Sequence, residues 1–200
     1  MTATAIVTTT SLQIIETSLP GVLLVQPRVF GDARGFFMET YRQDNFRDLG
    51  LPTDWVQDNH SRSSKGVLRG LHFQWEPSMS KLMRVTRGTA FLVAVDIRKG
   101  SPTLGQWFGM EVSAENKKQV YAPYSFARGF CALTDECEVQ YKCTGIYNSG
   151  AESGILYKDP KIGIEWPLKD VLVSPKDAKA QTLQDWLASP LSDNIVFEPK

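Results

Sequence analysis

Through the middle of the chain, apolar and polar positions alternate in short runs closed by Gly, Pro, Asn or Asp, the period-two signature of strands joined by tight turns. VLRGLHFQ (67–74) and KLMRVTRG (81–88) are two such runs. In TAFLVAVDIRKG (89–100), Phe91, Val93, Val95 and Ile97 share one face and Asp96 points to the other. GQWFGMEVS, KQVYAP, SFARGFCAL and CEVQYKCTGIY continue the series. Upstream, GVLLVQPRVF (21–30) predicts a strand stopped by the turn residues GDARG (31–35), and FFMETYRQDNFRDLG (36–50) has room for one short helix ended by Gly50. Near the C-terminus, DAKAQTLQDWLAS (177–189) spaces Leu183, Trp186 and Leu187 at i, i+3 and i+4 and predicts a helix packed on the domain. Many short strands with little helical periodicity predict an all-β sandwich or barrel, closed or doubled so that strand edges are hidden.

Composition narrows what such a barrel does. A chain of 200 residues fits one domain with a substantial core. Its 22 basic and 22 acidic residues cancel, so no global field gathers nucleic acid or an anionic membrane, and an anionic ligand must be caught locally. No run approaches the ~20 apolar residues of a membrane span. The first 20 residues lack Lys and Arg and the apolar core of a signal peptide, so a cytoplasmic location is expected. Cys131, Cys137 and Cys143 are odd in number, form no CxxC pair and lie in strand-like sequence, as reduced thiols would.

Against this background a few polar residues sit where a simple strand would not put them. On a regular strand Arg69 and His72 point to opposite faces, and both reach one site only if Gly70 hosts a bulge or sharp twist. A satisfied core histidine beside a solvated arginine is the alternative that this octapeptide leaves open. Gln57, Asn59 and His60 lie just upstream, Lys81 opens the next strand, and Arg128 and Tyr141 are embedded in apolar β-sequence. Together they suggest a polar pocket. The only two histidines are twelve residues apart, without the close His pair and carboxylate that metal-binding barrels use, and no GxSxG, Walker or Rossmann pattern occurs. Proton transfer by a histidine, with tyrosine as partner and cations to hold an anion, remains.

The segments FGDARGFFMETY (30–41), WVQDNHSRSSKGVLRGLHFQ (55–74), KLMRVTRG (81–88), VAVDIRKGSPTLGQW (93–107), VQYK (139–142) and DPKIGIEWP (159–167) resemble, in order and spacing, the dTDP-4-dehydrorhamnose 3,5-epimerase family of nucleotide-sugar enzymes. The resemblance runs over roughly residues 20 to 185. It implies a cupin-like jelly roll with a few short peripheral helices, including a C-terminal one. The expected division is an arm (1–20), a jelly-roll core (21–176) and a C-terminal helix and tail (177–200) within a single epimerase domain. It also implies a homodimer, with no metal or other cofactor, acting on a dTDP-linked 4-keto-6-deoxy sugar.

By motif, His72 matches the family's general base, Tyr141 its general acid, Asp177 of SPKDA the carboxylate that orients the base, and Lys81 a cation for the enolate oxygen. Arg34, Glu39, Gln57, Asp58, Asn59, Arg69, Arg128, Glu152 and Lys176 fall at positions expected to contact substrate, and Tyr147 offers a ring to stack on the base. In the family Arg34 and Glu39 reach the site from the partner subunit. The chain departs from the pattern at PYSFARGF (123–130), where Arg128 replaces a histidine and Ser125 a glycine. An arginine stays charged and shuttles no proton, so epimerisation at one carbon only is the alternative to the 3,5-reaction. A non-catalytic sugar-nucleotide binding cupin and a metal-dependent oxygenase are the readings of other classes.

Overall fold

The structure, a computed structural model, describes residues 4–8 and 11–199. The strands in chain order begin with β1 (Thr4–Thr8), β2 (Leu12–Glu16), β3 (Leu23–Pro27), β4 (Val29–Asp32) and β5 (Gly35–Met38), followed by helix α1 (Gln43–Asp48). Then come β6 (Gln57–Ser63), β7 (Leu68–Gln74), β8 (Lys81–Arg87), β9 (Thr89–Asp96), β10 (Trp107–Ser113), β11 (Gln119–Ala122), β12 (Phe126–Ala132), β13 (Cys137–Cys143) and β14 (Glu152–Gly154). Helices α2 (Pro175–Ala178) and α3 (Leu183–Ala188) close the chain with a 3₁₀ turn at Pro190–Asn194. One sheet has the order β1-β2-β3-β11-β8-β13-β6 and the other β10-β9-β12-β7-β14, all antiparallel. From β6 on, successive strands pass from one sheet to the other except at the β9–β10 hairpin, and the result is a cupin-like jelly roll. Among the described residues no helix is long and apolar enough to cross a membrane.

Three apolar clusters hold the layers together. Between the sheets, Leu24, Met83, Val85, Val120 and Val139 of the first meet Leu92, Val112, Phe126 and Phe130 of the second. On the outer face of the second sheet, Phe73, Val93, Val95, Ile97 and Ile155 are covered by Leu183 and Trp186. On the outer face of the first, Leu12, Ile14, Val25 and Leu82 are covered by Phe46 of α1. Because each sheet is buried on both faces at its centre, β9 and β12 are buried along nearly their whole length rather than alternating between buried and exposed. At about 1.5–3 kcal/mol for each fully buried large apolar side chain, these clusters dominate the stability.

Three elements differ from the expected ones. The strand at 21–30 is broken at Pro27, which has no N–H to donate, and the chain leaves the sheet to form the β4–β5 hairpin with Ala33 and Arg34 at its tip. Residues 36–38 are therefore strand, and the helix begins only at Gln43, ending before Gly50 at φ 70°. The C-terminal helix is two helices, because Thr182 and Asp185 form a capping box that starts α3 afresh. Within the Thr-rich arm, β1 and β2 extend the first sheet.

β7 carries the irregularity that Gly70 announces. Arg128 pairs with His72 and Phe130 with Arg69, so two steps along β12 face three along β7. Gly70 has φ 135°, and a Cβ there would lie 2.6 Å from Gly129 Cα and 3.0 Å from the Arg128 carbonyl oxygen. Gly70→Ala is expected to cost about 2–5 kcal/mol, from an unfavourable backbone region plus overpacking against β12. Urea unfolding measures it, and a wild-type midpoint and slope would contradict the account.

Candidate active site

The bulge puts one extra residue between Arg69 and His72, so both side chains open on the same side of β7. Two adjoining cavities meet there. The inner one, about 110 Å³, lies between the sheets. The second sheet lines it with His72, Arg128 and Glu152, and the first with Gln57, Asn59, Lys81 and Tyr141. The outer one, about 630 Å³, is lined by Arg69, Leu172, Ser174, Lys176 and Asp177. His72, Tyr147 and Glu152 border both.

Asp177 reaches His72 from α2. Ser174 caps that helix by accepting the Asp177 N–H at 3.0 Å, with Pro175 in its first turn, and the cap fixes where the carboxylate points. One Asp177 oxygen lies 2.7 Å from His72 Nε2, and the other accepts the Gly70 N–H at 3.2 Å. Burial alone would raise the Asp177 pKa, but the bonds from His72 and Gly70 outweigh it and hold it below the ordinary value. An ionised carboxylate accepts, so Nε2 carries the hydrogen and Nδ1 the lone pair.

From the other sheet, Tyr141 faces this imidazole across the inner cavity. Burial raises its pKa, so the phenol keeps its proton at neutral pH and can serve as a donor. Lys81 Nζ lies 4.6 Å from the centroid of the Tyr141 ring. Burial first, and the charge of Arg128 second, depress the Lys81 pKa to about 8. Cys143 lies beside them, its thiol accepting from Asn59 Nδ2 at 3.6 Å and raised in pKa by burial.

In the outer part, Lys176 pairs with Glu152, and Tyr147 donates to the same carboxylate at 2.9 Å. Burial raises the Glu152 pKa, but these two bonds prevail and hold it down. Gln57 accepts the Tyr147 N–H at 2.8 Å and donates to Asn59 at 3.1 Å, while Arg69 donates to Ser63 at 3.1 Å. Arg69, Lys81, Arg128 and Lys176 face only Glu152 and Asp177 as carboxylates, a local excess of positive charge in a chain of zero net charge.

The structure gathers His72, Tyr141, Asp177, Lys81, Gln57, Asn59, Arg69, Arg128, Tyr147, Glu152 and Lys176 around these cavities. It does not bring Asp58 there, because strand alternation turns it to the opposite face, where it pairs with Lys142 at 3.1 Å. His60 is likewise outside, against Glu138 at 3.1 Å. Arg34 is at the hairpin tip, paired with Asp32, and Glu39 accepts from Ser11 and Asn45 at the hairpin base, so neither lines the two cavities at His72. Sequence reasoning missed Cys143, Gln74 and Ser174 as lining or supporting residues. Ser174 was legible, since Ser-Pro-Lys-Asp before a short helix is a capping pattern. Among the described residues no group of three His, Cys, Asp or Glu side chains could hold a metal ion.

A cupin-like jelly roll whose imidazole, phenol and cations converge on one cavity is a scaffold for enzymatic proton transfer. The family model described as dTDP-4-dehydrorhamnose 3,5-epimerase matches residues 16–185. The dTDP-4-dehydrorhamnose 3,5-epimerase of Shigella flexneri is 51% identical over 176 residues, covering 87% of this chain and 97% of that one. The dTDP-6-deoxy-D-glucose-3,5-epimerase of Legionella pneumophila, solved with dTDP-4-keto-L-rhamnose, is 43% identical with a TM-score of 0.88, covering 94% of this chain and 100% of that one. A 3'-monoepimerase of Streptomyces bikiniensis, solved with dTDP-quinovose, is 34% identical with a TM-score of 0.81, over 85% and 87% of the two chains. The chain belongs to the dTDP-4-dehydrorhamnose 3,5-epimerase family.

The Lys81 pKa makes a prediction that needs no substrate. The folded protein loses this proton near pH 8 and the unfolded chain near pH 10.5, so the cost of burying the charge is borne in full below pH 8 and relieved towards pH 10.5. Lys81→Met is expected to raise the melting temperature at pH 7 by roughly 2–4 °C per kcal/mol recovered. Calorimetry at rising pH should show the gap to wild type closing, and a gap that widens would contradict the sign.

Proposed function

We propose that the protein epimerises a nucleotide-linked 4-keto-6-deoxy sugar, dTDP-4-dehydro-6-deoxy-D-glucose, to dTDP-4-dehydro-L-rhamnose. The observation that carries this reading is the placement of His72 and Tyr141 on opposite sheets, facing one another over a cavity that also holds two cations. Epimerisation next to a ketone requires a base on one face of the sugar and an acid on the other. His72 Nδ1 takes the proton from the carbon beside the ketone. The C–H electron pair becomes the enolate double bond, and the carbonyl π pair moves to oxygen. Tyr141 then gives its proton to the opposite face of that carbon and the carbonyl re-forms; His72 releases its proton to solvent, solvent reprotonates the phenolate, and a second cycle inverts the carbon on the other side of the ketone. Asp177 keeps the hydrogen on Nε2 and stabilises the imidazolium that forms. Lys81 stabilises the enolate oxygen.

The remaining residues then have binding roles. The diphosphate fits the outer cavity, where Arg69 and Lys176 supply charge and Arg69 a bidentate fork. Tyr147, exposed at the rim, stacks on the base, and Gln57, Asn59 and Glu152 line the sugar's side. The β4–β5 hairpin exposes Phe36 at 60% and Phe37 at 69%, an apolar surface that calls for cover. A second copy of the chain supplies it, with Arg34 and Glu39 carried towards the partner's site.

Reaction in deuterated water is expected to place deuterium at both carbons flanking the ketone, read by NMR; label at one carbon alone would favour a monoepimerase. His72→Ala should abolish label while dTDP binding persists, and Tyr141→Phe should permit proton loss but not inversion. Co-expressing Arg34→Ala with His72→Ala should restore activity that neither variant has alone, because mixed dimers contain one intact site. Absence of restoration in proven mixed dimers would remove Arg34 from the partner's site.

A further inference from the structure

Arg128 is the one charged side chain that the proposed chemistry has not yet used, and its surroundings are unusual. It is 3% exposed and sits directly across the ladder from His72 on β12. One terminal nitrogen, Nη1, donates to the Met79 carbonyl at 2.6 Å and the Pro123 carbonyl at 3.2 Å, which anchors the guanidinium rigidly. Its Nε and Nη2 are fully buried and have no hydrogen-bond partner. Among the described residues no carboxylate pairs with it, and the groups that bear on its charge are Cys143, Tyr121 and Tyr141. A buried cation with two orphaned donors is costly to maintain. The cost is explained if an oxygen-bearing ligand completes it.

The place of Arg128 says which oxygen. It lines the small inner cavity with His72, Tyr141 and Lys81, whereas Arg69 and Lys176 belong to the outer one that suits a diphosphate. A carbon within reach of both His72 and Tyr141 puts its neighbouring ketone in the inner cavity. Building on the epimerase reading, we propose that Arg128 is a catalytic residue that donates from Nε and Nη2 to the ketone oxygen, sharing with Lys81 the negative charge of the enolate. Two cations on one oxygen make the flanking carbon acid stronger than one would, and Nη1, held by two carbonyls, costs no reorganisation when the charge appears. The groups facing Lys81 are Arg128 from β12, Tyr141 and Cys143 from β13, Glu152 from β14 and His72 from β7. After burial, the Arg128 charge is thus the strongest influence on how readily Lys81 gives up its proton.

Deuterium exchange into the 4-keto sugar nucleotide, followed against pH for wild type and Arg128→Gln, tests this. The variant should exchange about 10²-fold more slowly, the usual loss for one oxyanion donor, with dTDP affinity by calorimetry unchanged. Its alkaline limit in kcat/KM, expected near pH 8 in wild type if Lys81 must stay charged, should move upward because the repelling charge is gone. An unimpaired variant, an unmoved alkaline limit, or dTDP affinity falling in step with rate would overturn the proposal. Infrared spectroscopy of the ketone bound to Lys81→Met decides the matter if Arg128→Gln does not fold. The carbonyl stretch should lie below its frequency in water, and a water-like frequency would overturn the proposal. Wild type that binds the substrate yet exchanges nothing would remove the epimerase reading itself, and this assignment with it.

Discussion

Where β7 and β12 cross, Gly70 and Gly129 bring two backbones so near that a Cβ on either would lie 2.6 or 2.7 Å from the facing strand. That approach is possible only for glycine, and it accommodates the extra residue in β7 that turns Arg69 and His72 to one side. The same irregularity leaves the Gly70 N–H outside the ladder, and the amide is spent on Asp177. One local defect therefore aims the imidazole and fixes the carboxylate that sets its tautomer. Neither effect needs a long-range strain, because the cap at Ser174 delivers Asp177 to the same point from the other side.

The rest of the site works by unequal charge. A chain with no net charge concentrates four cations against two carboxylates around two joined cavities. The inner pair is costly: Lys81 is driven down to about 8 and Arg128 to about 10, in both cases chiefly by burial. A fold selected for stability alone would fill this space with apolar side chains. The outer charges are cheaper, since Lys176 and Glu152 neutralise one another at the rim. The gradient runs from paired and exposed outside to unpaired and buried inside, which suits an anion held at the mouth and a strong field at the inner cavity.

Much of this was legible in the sequence, for identifiable reasons. Period-two runs gave the strands because both sheets keep a regular pleat, and Gly70 within one of them marked the bulge, since glycine in a strand interior otherwise weakens it. The hairpin at 29–38 was not legible: Val29, Phe30, Phe36 and Phe37 have the composition of a buried strand, yet they are exposed. Asp58 lies away from the cavities that Gln57 and Asn59 line, because a motif names neighbours along the chain while a strand sends alternate neighbours to opposite faces. The split of the C-terminal helix turned on Thr182 and Asp185, a start signal that the apolar spacing around it concealed.

The architecture also accounts for why proton transfer from two faces suits this fold. Because consecutive strands alternate between sheets, β6, β8 and β13 send Asn59, Lys81 and Tyr141 into the gap from one wall, while β7, β12 and β14 send His72, Arg128 and Glu152 from the other. A sugar ring entering that gap would have its two faces opposed to different sheets, which is the arrangement that the proposed base and acid require. A single-layer site would need a mobile element to bring the second group over. Here both groups stand on strands whose neighbours are fixed by ladder bonds and by the core between the sheets. Their separation is set by the same packing that makes the protein fold.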